Sequence, residues 1–310
     1  MRLITQESMT RPEVLRWHRR LRERYTPPTG ITLSVILPCS ARKPYSLSRS
    51  HTSFQECIRR GARGRSSLVH EVILTSPLGL VPRELEGVYP ASSYDVPVTG
   101  HWSHEEKETA VGLLKDYLAK AGTKVLAHVD GAYREICSLL GVPMTRGNLL
   151  SQEGLRELEE GVRAGLEGGG GTEARRERAL EDLRRVADFQ FGLGAGEYIV
   201  PHGASMKGGR VYLEGRQVAA VRKDGLLALT LEGARLLLPC GRYTARLNFK
   251  PEMRNVFAAG IEAADGDIRP EDEVIALYKG EVVGVGRALL NGEEMARSKK
   301  GLALALRHRA

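Results

Sequence analysis

Residues 33–51 read Leu33-Ser34-Val35-Ile36-Leu37-Pro38-Cys39-Ser40-Ala41-Arg42-Lys43-Pro44-Tyr45-Ser46-Leu47-Ser48-Arg49-Ser50-His51. The short apolar run that ends at Pro38 predicts a buried strand. Directly behind it come a thiol, an ammonium, a phenol, four serine hydroxyls and an imidazole. A loop that only connects elements needs Gly, Pro, Asn or Asp in special backbone states, whereas this one is built from groups that donate, accept and attack. The stretch therefore reads as a strand that delivers a reactive loop.

The same pattern repeats outward. Apolar runs at 69–75, 94–98 and 124–129 alternate with helical stretches near 51–63, 103–121 and 131–140. Short buried strands alternating with helices predict a parallel α/β sheet. Ligands bind at the carboxyl ends of such strands, so the Pro38 loop, Thr75-Ser76-Pro77-Leu78-Gly79 and Pro97-Val98-Thr99-Gly100-His101 are expected to converge on one crevice. Residues 1–30 read as a basic extension with a short surface helix, 31–150 as the α/β core, and 151–185 as a charged helical linker. That linker is interrupted by Gly168-Gly169-Gly170-Gly171, which reads as a flexible joint. Residues 186–238 read as a small α+β unit and 239–310 as a compact barrel-like β unit with a basic edge.

The chain has 310 residues, 42% of them hydrophobic, enough for two or three cores. Its 46 Lys+Arg against 38 Asp+Glu give a net charge of +8, which favours a polyanionic partner such as nucleic acid. The four cysteines, 39, 57, 137 and 240, form no C-x-x-C pair, so neither a zinc site nor an iron–sulfur cluster is encoded locally. No metal and no cofactor is expected. A signal peptide and a run of roughly 18 apolar residues are both absent, so a reduced, cytoplasmic protein away from membranes is expected.

The run Pro38-Cys39-Ser40, Lys43-Pro44-Tyr45, Ser48 and Ser50-His51 resembles the signature of archaeal archaeosine synthases, relatives of tRNA-guanine transglycosylase. The resemblance continues through Ser76-Pro77-Leu78-Gly79, Arg83-Glu84-Leu85-Glu86 and Tyr94-Asp95-Val96-Pro97 to His101-Trp102. Farther on, Val256-Phe257-Ala258, Ile268-Arg269-Pro270 and Val283-Gly284-Val285-Gly286-Arg287 resemble a PUA domain, an RNA-binding pseudobarrel; residues 186–238 are similar to the domain that precedes it in the family. Longer members carry a transglycosylase-like half ahead of the signature, so this sequence reads as a short form, and base exchange is not expected of it. The resemblance implies a uracil-DNA-glycosylase-like core. Its implied substrate is a tRNA carrying 7-cyano-7-deazaguanine in the D-arm, with the nitrile converted to an amidine. It also implies an amino donor, lysine or glutamine-derived ammonia. Lysine is preferred, with a separate radical lyase as a possible partner, because neither a glutaminase motif nor a radical enzyme's cysteine cluster is present.

Addition of an amine to a nitrile needs a deprotonated nucleophile, a proton donor at nitrogen and positioning. Two routes fit the residues. Cys39 attacks first and the amine displaces it from a thioimidate; or His51 or Asp95 deprotonates the amine while Lys43 or His101 stabilises the developing negative nitrogen. Ser40, Tyr45, Ser48, Ser50, Ser76, Pro77, Arg83 and His101 are candidates for holding the substrate. Each has a plainer reading. Cys39 can be a small core residue, Ser48 and Ser50 can cap the following helix, His51 can simply begin that helix, and Asp95 can pair with Arg83. Lys250, Arg254, Arg297, Lys299, Lys300 and Arg307 are the candidates for phosphate contacts. A non-catalytic subunit that delivers tRNA to another enzyme is the competing reading. The oligomeric state is not legible from the sequence.

Overall fold

Alternation along the first strand, β1 (Leu33–Pro38), sets the architecture of the core. Leu33, Val35 and Leu37 pack with Phe54, Cys57, Ile58, Leu158 and Val162 on one face of the sheet, while Ser34, between them, reaches the Tyr117 hydroxyl at 2.8 Å on the other. The computed structural model describes residues 8–93, 102–168 and 175–310. Two compact units, Met1–Arg185 and Val186–Ala310, divide the chain.

In the first unit β1 pairs in parallel with β2 (Val69–Thr75) and with β4 (Lys124–Ala127). A short strand, β3 (Gly79–Pro82), runs antiparallel on β2, so the sheet order is β3-β2-β1-β4. The sheet is therefore mixed rather than wholly parallel. The sequence reading missed β3 because Gly79 and the prolines around it look like a loop. Four helices accompany these strands: α1 (Pro12–Arg24), α2 (Arg49–Ala62), α3 (His104–Ala121) and α4 (Gly131–Leu139).

Two segments expected to lie outside the core belong to it. Helix α1 buries Val14, Trp17 and Leu21, and its Trp17 indole donates to the Leu80 carbonyl at 3.1 Å while His18 donates to that of Pro77 at 3.0 Å. The charged 151–185 segment is no linker either. Helix α5 (Gln152–Gly165) places Leu158 and Val162 in the core beside β1. It crosses α2 so closely that a Cβ on Gly61 would lie 2.4 Å from the Glu159 carbonyl oxygen. Helix α6 (Arg175–Phe191) sends Arg178 to the Ser67 and Val69 carbonyls at 2.9 and 3.1 Å. Apart from Gly168, the glycine run lies outside the described residues.

A buried polar chain crosses the first unit. Glu84 accepts from Tyr25 at 2.6 Å and bonds His70 at 2.9 Å, and His70 meets Tyr117 at 2.7 Å. Burial alone would raise the Glu84 carboxyl, but His70 and Tyr25 hold it down at about 2.

The second unit opens with the end of α6 and a short helix, α7 (Ala195–Ile199). A four-stranded antiparallel sheet follows, β5 (Ser205–Lys207), β6 (Arg210–Leu213), β7 (Arg216–Val221) and β8 (Leu227–Leu229), and then α8 (Leu231–Leu237). Beyond it lies a six-stranded sheet, in the order β10-β14-β13-β12-β9-β11. Its strands are β9 (Thr244–Leu247), β10 (Asn255–Phe257), β11 (Ile261–Ala264), β12 (Glu273–Tyr278), β13 (Glu281–Ala288) and β14 (Leu302–Arg309). Between the last two lies α9 (Gly292–Arg297).

Candidate functional site

Three strand ends of the first unit meet around Cys39, the residue after β1. The β1–β4 register, Ile36 opposite Ala127, brings the start of α4 alongside, and there the Tyr133 hydroxyl lies 3.0 Å from the Cys39 Sγ. The Tyr133 ring meets Trp102 edge to face, with centroids 5.4 Å apart. Trp102 precedes the α3 N-cap, Ser103, whose capping box is closed by Glu106. Glu106 also accepts from the Ser76 hydroxyl at the end of β2. Cys39 is half-buried, and Ser40, Lys43, Ser50 and Ser76 share that partial exposure.

The far half of the loop is anchored. His51 is wholly buried, with Nε2 2.9 Å from the Pro38 carbonyl and Nδ1 2.9 Å from Arg83 Nη2. A guanidinium only donates and a carbonyl only accepts, so Nδ1 is the acceptor and Nε2 carries the hydrogen. Burial pushes the imidazole down to about 3, and the Arg83 charge adds to the effect. Arg83 in turn donates Nε to Glu71 at 3.0 Å and Nη1 to Glu86 at 2.7 Å. Glu86 also accepts from the Ser46 backbone N–H at 3.0 Å.

These contacts correct several expectations. His51 is buried and engaged at both nitrogens, to the Pro38 carbonyl and to Arg83, rather than facing an open edge of the loop. Arg83 is committed to two carboxylates and a histidine rather than to a ligand. Tyr45 is buried, with its hydroxyl donating to Thr75 Oγ1 at 3.3 Å; Ser48 is buried as the α2 N-cap, accepting from the His51 N–H at 3.2 Å; Pro77 is buried beneath α1. Ser50 bonds Ser48 at 3.2 Å and Ser40 bonds the Arg42 carbonyl at 3.0 Å, both with an edge still accessible. Asp95 and His101 lie outside the described residues.

Comparison with known proteins bears on this arrangement. A family model described as a domain of unknown function, DUF5591, matches residues 14–161. The patch-forming C2 domain of tRNA-guanine transglycosylase matches 181–243, and a PUA domain matches 248–310. The archaeosine synthase subunit alpha of Thermococcus kodakarensis is 42% identical over 99% of this chain and 55% of its own length. That of Methanosarcina acetivorans is 41% identical over 98% of this chain and 51% of its own. Over nearly its whole length the chain is homologous to archaeosine synthases. It spans about half the length of the curated relatives it matches. A crystal structure of AF0587, a protein of unknown function, covers 95% of this chain and 99% of its own with a TM-score of 0.69 at 29% identity.

The six basic residues predicted for phosphate contact in this archaeosine synthase homologue divide in two. Lys250, Arg254, Lys299 and Lys300 are exposed around β10, where Ala258 N–H donates to the Gly301 carbonyl at 2.9 Å. Phe257 and Met253 are exposed in the same region. Arg297 is exposed but paired with Glu293 at 2.5 Å. Arg307 is the correction: it clamps the buried Glu273 and donates to the Leu229 carbonyl at 2.9 Å, while Leu229 N–H donates to Glu273 at 2.8 Å. That guanidinium joins β14, β12 and β8 rather than standing free for RNA.

Sequence reading missed Tyr133, Glu106, Glu71 and Glu86. Tyr133 carried a usable signal, because it follows the Asp130-Gly131 turn that ends the strand neighbouring β1. The carboxylates carried none, since each is one more acidic residue on a strand, turn or helix. The remaining cysteines are set apart by environment. Burial pushes the Cys137 thiol up to about 12 and raises Cys57 and Cys240 as well.

Proposed function

We propose that the Cys39 site adds an amine to the nitrile of 7-cyano-7-deazaguanine in the D-arm of tRNA, forming an amidine. Lysine is the preferred donor and glutamine-derived ammonia the alternative. The observation that carries the reading is the half-exposed Cys39 thiol at the carboxyl edge of the parallel strands, in contact with a tyrosine hydroxyl, inside the stretch that resembles the archaeosine synthase signature. The names of the relatives support tRNA as the substrate, and the exposed cations around β10, in the part matched by the PUA model, support RNA contact.

In this account the Cys39 sulfur forms a bond to the nitrile carbon, and the thiol proton ends on the nitrile nitrogen, giving a thioimidate. The amine nitrogen then bonds the same carbon, the C–S bond breaks, and an amine proton returns to the departing sulfur. Atoms and charge balance without a redox partner. With His51 buried and neutral, the geometry favours this covalent route over amine activation by His51. Lys43, half-exposed in the same loop, is the cation this reading assigns to negative charge developing on nitrogen.

The test incubates the purified chain with nitrile-bearing tRNA and lysine or glutamine, digests the RNA and weighs the nucleosides. A mass gain equal to the donor, lost in Cys39→Ala, supports the reading. Tight tRNA binding with no mass change under either donor points instead to an accessory subunit that delivers tRNA to another enzyme.

A further inference from the structure

Among the described residues, Tyr133 is the group outside the signature loop whose polar atom touches the proposed nucleophile. Its hydroxyl lies 3.0 Å from the Cys39 Sγ although the two residues are 94 positions apart. Two features fix that hydroxyl. The residue is 7% exposed, and Trp102 meets its ring edge to face at 5.4 Å. Its backbone belongs to the first turn of α4, which follows the strand registered directly against β1. The distance is thus set by sheet pairing and helix packing, not by a mobile side chain.

The hydrogen bond has a direction that depends on the state of the sulfur. With a thiol, either atom can donate. Once the sulfur is negatively charged it can only accept, so the Tyr133 O–H must point at it. A hydrogen bond to the charged form is stronger than one to the neutral form. We infer that Tyr133 is a positioning residue for Cys39, its phenol donating to the sulfur both when the thiolate is formed and when it departs from the adduct. The second event is where the contact accelerates turnover: the developing negative charge on the leaving sulfur meets a donor already in place, with no reorganisation needed.

This inference rests on the reading of Cys39 as the nucleophile, and its test separates the two. Tyr133→Phe keeps the ring and its contact with Trp102 but removes the hydroxyl. Three quantities are compared with the parent chain: the thermal unfolding midpoint, the rate of Cys39 alkylation by iodoacetamide at pH 7 in the absence of RNA, and kcat and KM for the nitrile-bearing tRNA. The expected result is an unchanged midpoint, alkylation slowed about tenfold, the scale of one hydrogen bond to a charged group, a comparable fall in kcat, and an unchanged KM. Tyr133→Ala should be no better. If Phe alkylates and turns over as fast as Tyr while Ala fails, Tyr133 only fills space and the inference is overturned. If Phe slows alkylation yet Cys39→Ala still yields amidine, the coupling of Tyr133 to Cys39 stands and the nucleophile assignment falls.

Discussion

The Cys39 loop in the first unit and the β10 edge in the second solve the same problem in opposite proportions. In the loop most of the chemical groups serve the scaffold: His51, Tyr45 and Ser48 are buried, and Arg83 beside them is half-buried, in bonds to one another or to Glu71, Thr75 and Pro38, while the thiol and a few serine edges stay partly exposed. Of the six candidate cations in the second unit, Lys250, Arg254, Lys299 and Lys300 are exposed around β10, Arg297 pairs with Glu293, and Arg307 is taken up by the buried Glu273. A covalent site needs one reactive atom held rigidly, so neighbouring polar groups are used as braces. A phosphate-binding face gains from several independent charges in water, so few are tied down.

The largest effect that would sharpen this contrast comes from Cys39→Ser. We expect loss of amidine formation by more than about 100-fold, with the unfolding midpoint little changed, because the residue is half-exposed. Arg83→Ala should do the reverse in kind. It strands Glu71 and Glu86 and frees His51, so stability should fall by about 3 kcal/mol in denaturant titration. Activity should fall as well, through a loosened loop. Equal stability in the parent and this variant would show that the bracing is cosmetic.

In the second unit, Arg307→Ala is expected to cost about 2 kcal/mol of stability by leaving Glu273 buried with fewer partners, while the salt dependence of tRNA binding stays as in the parent. The double change Lys299→Ala with Lys300→Ala should leave stability alone and reduce the slope of log affinity against log salt by about 1 to 2. A slope change with Arg307→Ala and none with the lysine pair would invert the contrast.

The most gradual effect concerns pH. His51 is held at about 3 in the folded chain by burial and by Arg83, against an ordinary value near 6.5 when unfolded. Between those values the unfolded chain binds a proton that the folded chain does not, so stability rises with pH and is lost as pH falls. The contribution near pH 5 is about 1.4 kcal/mol per pH unit. Denaturant titrations from pH 4.5 to 7 should show a shallower slope in His51→Gln by about that amount.

Local chemistry made part of this legible. The apolar run at 33–38 announces β1, and the density of donors behind it announces a functional loop. Ser48 before Arg49 is an ordinary helix start. What each side chain faces was not legible, because that is decided by partners far along the chain. Arg83 is read by Glu71 and His51, Cys39 by Tyr133, and Arg307 by Glu273. The charged helix α5 looked like a linker because its apolar residues are few, yet Leu158 and Val162 suffice to seat it where glycines let the backbones approach. In the strand after β2, Gly79 and Pro82 hid an edge pairing that only the partner reveals.

The most direct test withholds the amine. The chain is mixed with a nitrile-bearing tRNA, quenched, digested with nuclease and protease, and its Cys39 peptide is weighed. The account predicts a peptide heavier by the deazaguanine nucleoside or nucleotide remnant, linked through sulfur and discharged when lysine is added before the quench. An unmodified Cys39 peptide, together with full amidine formation by Cys39→Ala once lysine is supplied, would contradict it.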